Sequence, residues 1–341
     1  MQCVMHFTPL DFAAVDTMRT AVATMRTALL VVGLTPVAMA VVSRPACRTR
    51  PVMMAGAADD LFTQYADAAP PVQSQLYGRC WDIVAQAVAA TVPAATTDAS
   101  AFGGALEAFV SAGPDDPSQI PEEQRALLEA LSDTAASYTQ LVDEQRLSWG
   151  TMYRTLNRPL GAFFCGISLW PATSTDVPNF TLYFGSGSSV NPDRVFLRLE
   201  MVPRVDTDTD ADYAEKYYAP FNERFFSLLA NDEFEPYVST SAYARGAQAP
   251  SGLRYFFNGT EANMQLVTDA VLELAAQWSG FVDDAEESSS EQKAAIARRD
   301  AIIRRVAADS SPDNANRERV FGKVAFGQTK ALLCGELDAE L

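Results

Sequence analysis

Residues 194–258 read RVFLRLEMVPRVDTDTDADYAEKYYAPFNERFFSLLANDEFEPYVSTSAYARGAQAPSGLRYFFN, and this central stretch sets the architecture of the chain. Apolar residues occupy alternate positions from Val195 to Met201, and a period of two is typical of a strand with a covered face. Pro203 ends the pattern, because proline cannot donate a backbone hydrogen bond to a neighbouring strand. The stretch therefore predicts a strand over residues 195–202.

The remainder of this stretch predicts a crossover helix. The acidic loop 206–210 can cap a helix that carries Tyr213 and Tyr217 on one face, four residues apart. Pro220 interrupts that helix and is tolerated as the first residue of a further helical turn. Residues 237–257 then return as extended chain, with glycine and proline at the bends.

Periodicity elsewhere predicts helices first, then strands, then helices again. The predicted helices cover residues 59–69, 72–92, 106–110, 121–142, 260–279, 293–308 and 317–337. The predicted strands cover residues 162–170, 180–184 and 195–202. The predicted order lacks the strand-helix-strand alternation that is typical of a parallel sheet. It therefore predicts the α+β class with an antiparallel sheet.

The composition is that of an acidic globular protein. The chain has 341 residues, of which 48% are hydrophobic, and this is enough for a folded core. Residues 1–58 contain five arginines and two aspartates, so the net charge of −17 for the whole chain becomes −20 for residues 59–341. We interpret residues 59–341 as a single domain, for which nucleic acid is not an expected partner.

The first 58 residues have the composition of a cleaved targeting segment. Residues 28–42 form an apolar run behind Arg19 and Arg26, and residues 38–40 offer small side chains at a cleavage spacing. The run is too short and interrupted for a membrane span, so none is expected in the mature chain. An acid-free, arginine-bearing stretch follows, as in a transit peptide behind a signal sequence. This arrangement predicts import into a complex plastid (a chloroplast bounded by extra membranes), with mitochondrial import and secretion as alternatives.

The chain contains one histidine, His6, and it lies in the segment predicted to be cleaved. Serine and cysteine nucleophile schemes and most zinc sites depend on imidazole, so the mature protein is expected to use none of them. The five cysteines are scattered without a Cys-x-x-Cys spacing, which argues against iron-sulfur ligation. The sequence therefore predicts neither a metal site nor a disulfide framework.

Several motifs resemble those of red chlorophyll catabolite reductases. Those in the central stretch are Glu200, Pro203-Arg204, Asp206, Asp212-Tyr213, Tyr217-Tyr218, Glu235-Pro236-Tyr237-Val238-Ser239 and Arg245…Pro250. The others are Ser148-Trp149-Gly150, Pro178-Asn179-Phe180 and Arg298-Arg299-Asp300…Phe321-Gly322. The resemblance covers roughly residues 60–335.

The resemblance implies the fold of ferredoxin-dependent bilin reductases: a three-layer α/β/α sandwich with a central antiparallel sheet. An open-chain tetrapyrrole would bind between the sheet and the C-terminal helices. The resemblance implies no bound redox cofactor, since reduced ferredoxin supplies single electrons and the pigment itself accepts them. The expected reaction converts red chlorophyll catabolite to a primary fluorescent catabolite in chlorophyll breakdown. The alternatives are a non-catalytic tetrapyrrole-binding protein, a reductase of a haem-derived bilin, and an unrelated lumenal or secreted interaction domain. A homodimer is compatible with the resemblance.

The resemblance also places two proton donors near the pigment. Tyr183 stands where the family typically has a glutamate, and a phenol is a weaker acid than a carboxyl group. The second acid falls at Asp313, with Asp309 as the alternative because of a one-residue length difference. Packing of Tyr183 within the sheet, or helix capping by either aspartate, would be structural roles instead. Gln248 matches a position that helps to choose which face of the pigment is protonated.

Arginines account for the remaining predicted contacts. Arg204 and Arg245 can pair with pigment carboxylates, or they can bridge the aspartates of loop 206–212. Residues 293–330 carry nine basic and four acidic groups, and such a face would steer an acidic plant-type ferredoxin. The predicted docking residues are Arg298, Arg299, Arg304 and Arg305, although arginines on a solvated helix face need no partner.

Overall fold

The computed structural model describes residues 71–98, 106–110, 134–157, 161–186, 191, 193–239, 241–309, 326–327 and 329–335. The predicted targeting segment and the predicted helix over residues 59–69 lie outside these ranges, so the boundary at residue 58 stays a prediction. No helix in the described part of the chain has the length and apolar character needed to cross a membrane.

The strands form one antiparallel sheet. They are β1 Thr96–Asp98, β2 Leu106–Val110, β3 Thr134–Val142, β4 Leu147–Asn157, β5 Ala162–Pro171, β6 Asn179–Ser186, β7 Arg194–Val202, β8 Phe234–Pro236 and β9 Leu253–Asn258. The hydrogen-bonded order is β1-β3-β4-β5-β6-β7-β9-β8, and β2 also pairs with β3. From β3 to β7 each strand pairs with the next along the chain, as in a meander.

Helices come before the sheet, within its last connections, and after it. They are α1 Pro71–Thr91, α2 Ala211–Tyr218, α3 Asn222–Leu229, α4 Ala242–Gly246, α5 Glu261–Asp283 and α6 Ser290–Asp309. A 3-10 turn at Ala219–Phe221 joins α2 to α3 and contains Pro220, and residues 329–334 are helical. Asp210 caps α2 by accepting a hydrogen bond from the backbone N–H of Tyr213, as the acidic loop predicted.

Two predicted helices are wrong, because the described residues concerned are strands. Residues 106–110 form β2, and the end of the predicted helix 121–142 forms β3. In β3 the helical spacing of Tyr138 and Val142 coexists with a strand alternation. Pairing with both β2 and β4 then selects the strand, a long-range effect that local periodicity does not report.

Three smaller differences concern β1, β4 and α4. Strand β1 lies between two predicted helices, where no strand was predicted, and β4 begins before the first predicted strand. Residues 237–257, predicted as extended chain, contain the short helix α4, which Ser241 caps by accepting from the N–H of Ala244. The strands β5, β6 and β7 and the helices α1, α2, α5 and α6 are confirmed within a few residues at their ends.

One side of the sheet, the core face, packs against α1 and α5. Its central side chains are fully buried; they include Phe163, Ile167, Leu182, Leu197 and Leu253. Trp278 of α5 packs on Phe180 with ring centroids 5.9 Å apart, and its indole N–H donates to the carbonyl of Pro178 at 2.7 Å. The apolar alternation of the strands therefore places the main core between the sheet and these two helices.

The opposite side of the sheet is covered in part by α6 and by residues 329–334. Leu332 packs on Ala136 and Tyr138, and its carbonyl accepts from the indole N–H of Trp149 at 2.9 Å. On α6, the Arg304 guanidinium lies 5.1 Å from the ring centroid of Trp170. Helices thus lie on both faces of an antiparallel sheet, which confirms the α+β class and the three-layer sandwich.

Candidate functional site

A continuous set of aromatic rings occupies the side of the sheet that faces away from the core. This aromatic face consists of Tyr138, Tyr153, Phe164, Tyr183, Phe196, Tyr237 and Phe256. Neighbouring ring centroids lie between 5.0 and 6.2 Å apart. All of these side chains except Tyr138 are partly exposed. A large, partly exposed aromatic surface is typical of a binding site.

Two glycines allow these rings to lie close to the sheet. A Cβ atom at Gly166 would lie 2.2 Å from the carbonyl oxygen of Leu182 and 3.0 Å from the hydroxyl of Tyr153. A Cβ atom at Gly185 would lie 3.0 Å from the ring of Phe164. Glycine at both positions therefore lets the neighbouring rings pack directly against the backbone of the sheet.

A charged group, Arg198, Glu200 and Arg254, stands beside the rings. The alternation of β7 directs Arg198 and Glu200 away from the core, and the register of β9 places Arg254 directly opposite Arg198. The Glu200 carboxylate is buried; it accepts from Nη2 of Arg254 at 2.8 and 3.1 Å and from Nε of Arg198.

Electrostatics keep this group positively charged. Burial alone would raise the pKa of Glu200, but the charges and hydrogen bonds of Arg198 and Arg254 outweigh burial and lower that pKa. Glu200 is therefore ionised at neutral pH, and two arginines face one carboxylate. The group adds one net positive charge to the aromatic face, so the surface suits a flat, conjugated ligand that carries an anionic group.

Tyr183 lies at the centre of the aromatic face. It stands on β6 opposite Arg198, and its ring contacts the rings of Tyr153, Phe164 and Phe196. This position suits both a packing role and contact with a bound ligand. Proton donation by Tyr183 stays a prediction.

Of the two candidates for the second predicted acid, the structure describes only Asp309. Asp313 lies outside the described residues. Asp309 is exposed at the end of α6, where its Oδ1 lies 2.5 Å from Nζ of Lys330. Asp309 thus forms an ion pair at a helix end, and its catalytic role stays a prediction.

Arg204 belongs to a buried ion pair. Its side chain is 0% exposed, and its Nε and Nη2 donate to the carboxylate of Asp300 on α6 at 3.2 and 2.6 Å. Its Nη1 donates to three backbone carbonyls within residues 172–177. The expected bridge to the aspartates of loop 206–212 is therefore corrected to Asp300, and contact with a pigment carboxylate would require this pair to break.

The other predicted pigment contacts are exposed side chains on α4 and in the turn that follows it. Arg245 is exposed on α4 and its Nη1 donates to the carbonyl of Ser239 at 2.7 Å. Gln248 is exposed in the turn between α4 and β9. Neither side chain has a described contact with a member of the aromatic face, and their roles stay predictions.

The predicted docking arginines divide into two kinds. Arg298 and Arg305 are exposed on α6. Arg299 donates from Nε to the carbonyl of Pro203 at 3.1 Å, and Arg304 lies over Trp170. Arg298 and Arg305 therefore lie at the surface, whereas Arg299 and Arg304 also hold α6 against the rest of the fold.

A groove of about 930 Å³ runs between α6, α4 and the loop that follows β7. Its lining includes Arg298, Arg299, Tyr243 and Ile302, whereas Tyr183 is not among the lining residues. The groove therefore adjoins the predicted docking residues and is separate from the predicted proton donor.

Sequence reasoning missed the charged group and the Asp300 pair. For Arg198 a signal existed, since an arginine in the middle of a strand with a buried alternate face calls for a partner. The partners themselves, Arg254 and Asp300, lie 54 and 96 residues along the chain from the groups that they pair with. Only the sheet register and the seating of α6 bring them together.

Comparisons with known proteins agree with this architecture. Residues 164–328 match the family described as red chlorophyll catabolite reductase. A red chlorophyll catabolite reductase from Hordeum vulgare is 25% identical over 168 residues, which cover 46% of this chain and 79% of the relative. The structure of tomato phytochromobilin synthase in complex with biliverdin aligns with a TM-score of 0.52 and 16% identity, over 61% of this chain and 72% of that chain. The resemblance and the fold predicted from the sequence are confirmed.

Proposed function

We propose that this chain, whose residues 164–328 match the red chlorophyll catabolite reductase family, reduces an open-chain tetrapyrrole with electrons from reduced ferredoxin. The expected substrate is red chlorophyll catabolite and the expected product a primary fluorescent catabolite. The aromatic face carries this proposal, because its stacked rings and single net positive charge match a flat conjugated pigment that bears carboxylates.

The division of chemistry supports a role without a resident redox group. The pigment would accept the electrons, and the protein would orient it and supply protons from Tyr183 and Asp313, with Asp309 as the alternative. Exclusion of bulk water by the stacked rings would protect a radical intermediate from side reactions. The match to the relative from Hordeum vulgare supports reduction as the type of reaction.

The decisive assay mixes the purified protein with reduced ferredoxin and red chlorophyll catabolite under anaerobic conditions. Loss of the red absorbance together with a fluorescent product, dependent on ferredoxin, is the expected result. A saturable spectral shift without turnover would instead identify a non-catalytic binder, for which a phenol at position 183 in place of a carboxyl group is the motivating observation.

A haem-derived bilin is the second candidate substrate, since the fold neighbour was solved with biliverdin. The same assay with biliverdin in place of the chlorophyll catabolite separates the two. Faster reduction of biliverdin would reassign the substrate, whereas binding without reduction would leave the chlorophyll catabolite as the substrate.

Docking of ferredoxin is assigned to the exposed arginines Arg298 and Arg305 on α6. The double variant Arg298→Glu/Arg305→Glu is expected to raise the KM for ferredoxin about tenfold at low salt and less at high salt, because steering is electrostatic. Arg79→Glu, on α1 in the opposite helical layer, is the matched control. An unchanged KM in the double variant would move the docking surface elsewhere.

Location in a complex plastid completes the proposal. The support is the composition of residues 1–58, which combine an apolar run with an acid-free arginine-bearing stretch. A fluorescent protein fused behind these residues is expected to reach the plastid. Retention in the secretory pathway or delivery to mitochondria would overturn this assignment.

A further inference from the structure

Arg198 differs from the other arginines near the sheet in how its guanidinium is held. Its side chain is 35% exposed, and its Nε is fixed by the buried carboxylate of Glu200. Within the part of the chain that the structure describes, Glu200 is the acceptor that contacts it. The bond from Nε to Glu200 thus fixes the orientation of the guanidinium, and its two terminal NH₂ groups have no protein acceptor among the described residues.

Neutralisation of Glu200 does not by itself explain Arg198. Arg254, which is 6% exposed, already donates to both carboxylate oxygens of Glu200. One buried arginine balances the charge of one buried carboxylate, so the second arginine leaves the group with an excess positive charge. Arg198 presents that charge, because it is the more exposed of the two arginines.

The neighbours of Arg198 belong to the aromatic face. Tyr183 lies opposite it in the register of β6 and β7, and Phe196 precedes it by one alternation on the same side of β7. The charges of Glu200, Tyr153 and Tyr183 act on Arg198; burial lowers its pKa, and the Glu200 carboxylate more than compensates, so that the pKa is raised. A permanent cation therefore adjoins the rings.

We propose that Arg198 binds a carboxylate of the linear tetrapyrrole and thereby fixes the register of the pigment over Tyr183. This inference rests on the proposed function and adds the anchoring residue. A carboxylate on the terminal NH₂ groups would form charge-assisted hydrogen bonds, while the conjugated rings lie on the aromatic face. The guanidinium of Arg204 is buried against Asp300, and that of Arg245 donates to the carbonyl of Ser239, so both have described protein acceptors.

The test compares biliverdin with its dimethyl ester, which keeps the conjugated system and removes both carboxylate charges. Dissociation constants are measured by absorbance titration of the full-length protein. The wild type is expected to bind the free acid about tenfold more tightly than the ester, a typical effect for hydrogen bonds to a charged group. The Arg198→Gln variant is expected to bind both pigments equally.

The control is Arg79→Gln, which removes the same charge from an arginine that is also 35% exposed but lies on α1, against the core face, and it is expected to keep the preference for the acid. Arg198→Lys keeps the charge without the fork and is expected to keep part of the preference. If Arg198→Gln folds poorly, the test still rests on the wild type, through the ratio of its dissociation constants for the ester and the free acid.

Equal affinities of the wild type for acid and ester would overturn the anchor and leave the proposed reduction standing. The anchor is likewise overturned if Arg198→Gln keeps the wild-type preference. Failure of the wild type to bind either pigment would overturn the anchor, whereas the proposed reduction is tested separately by the assay with red chlorophyll catabolite.

Discussion

The two faces of the central sheet use similar residues for opposite purposes. On the core face, Phe163, Phe184 and Leu197 are fully buried against helices. On the aromatic face, Phe164, Tyr183 and Phe196 occupy adjacent positions in the same strands yet stay partly exposed. Successive strand residues point to opposite sides, so each strand serves both faces at once.

Stability and recognition therefore reside on different sides of the sheet. The core face holds the sheet to α1 and α5 with little polar content, and its burial supplies the main part of the folding free energy. The aromatic face keeps its rings accessible and holds a charged group among them. A substitution should affect either folding or pigment handling, according to the side on which the residue lies.

The largest effect is expected from Phe184→Ala on the core face. Removing a fully buried ring should lower the free energy of unfolding by about 3–5 kcal/mol. The matched change on the other side, Phe164→Ala, should cost about 1–2 kcal/mol, because its ring is already partly exposed. Urea unfolding followed by circular dichroism measures both, and equal costs would remove the distinction between the faces.

The next effect concerns the ion pair that fixes α6 to the sheet. Asp300→Asn leaves the buried Arg204 guanidinium without its carboxylate and should cost on the order of 3 kcal/mol. The control Asp283→Asn breaks an exposed pair with Arg146 and should cost about 0–1 kcal/mol. If both variants unfold at the same urea concentration, the Arg204–Asp300 pair does not hold α6.

A kinetic effect distinguishes the faces without a change in stability. Tyr183→Phe keeps the ring and removes the hydroxyl group that would donate the proton. We therefore expect kcat to fall about 100-fold while the affinity for pigment changes little. Tyr255→Phe makes the same change on the core face, where the phenol is buried, and should leave kcat unchanged. Single-turnover pigment reduction measures both rates, and an unchanged rate for Tyr183→Phe would give its ring a packing role only.

The smallest effect is a pH dependence of stability. The pKa of Glu200 lies below its ordinary value of 4.5 in the folded protein, so its contribution is complete above that value and is lost as the pH falls through the lowered pKa. Urea unfolding from about pH 6 to about pH 3 should show this loss, and Glu200→Gln should flatten the acid slope. An identical slope in the variant would mean that other carboxylates account for the acid sensitivity.

Part of the fold could be predicted from local patterns. The alternation of residues 195–202, the capping aspartate of α2 and the stripe of α5 each act within a few residues, and each was confirmed. The strands β2 and β3 were missed because their apolar spacing also fits a helix. Pairing with neighbouring strands makes these residues strands rather than helices, and local periodicity carries no information about that pairing.

The candidate site followed the same division. Tyr183 was singled out by the resemblance as a residue near the pigment, and the sheet register places it on the side of β6 opposite the core. Arg204 was expected to meet aspartates close in sequence, whereas its partner Asp300 comes from α6. The sequence predicts a carboxylate partner for Arg204, but which of several carboxylates pairs with it depends on how the helices pack on the sheet.

Residue identity and short spacing were enough to determine the class of the fold, the family that the chain resembles and the lack of imidazole in residues 59–341. The tertiary structure was needed to show that seven aromatic side chains, from six strands and the segment after β8, form one surface. It was also needed to show that Arg198, Glu200 and Arg254 form one positively charged group beside that surface. Sheet register and helix packing join residues that are distant along the chain, and no local propensity encodes those distances.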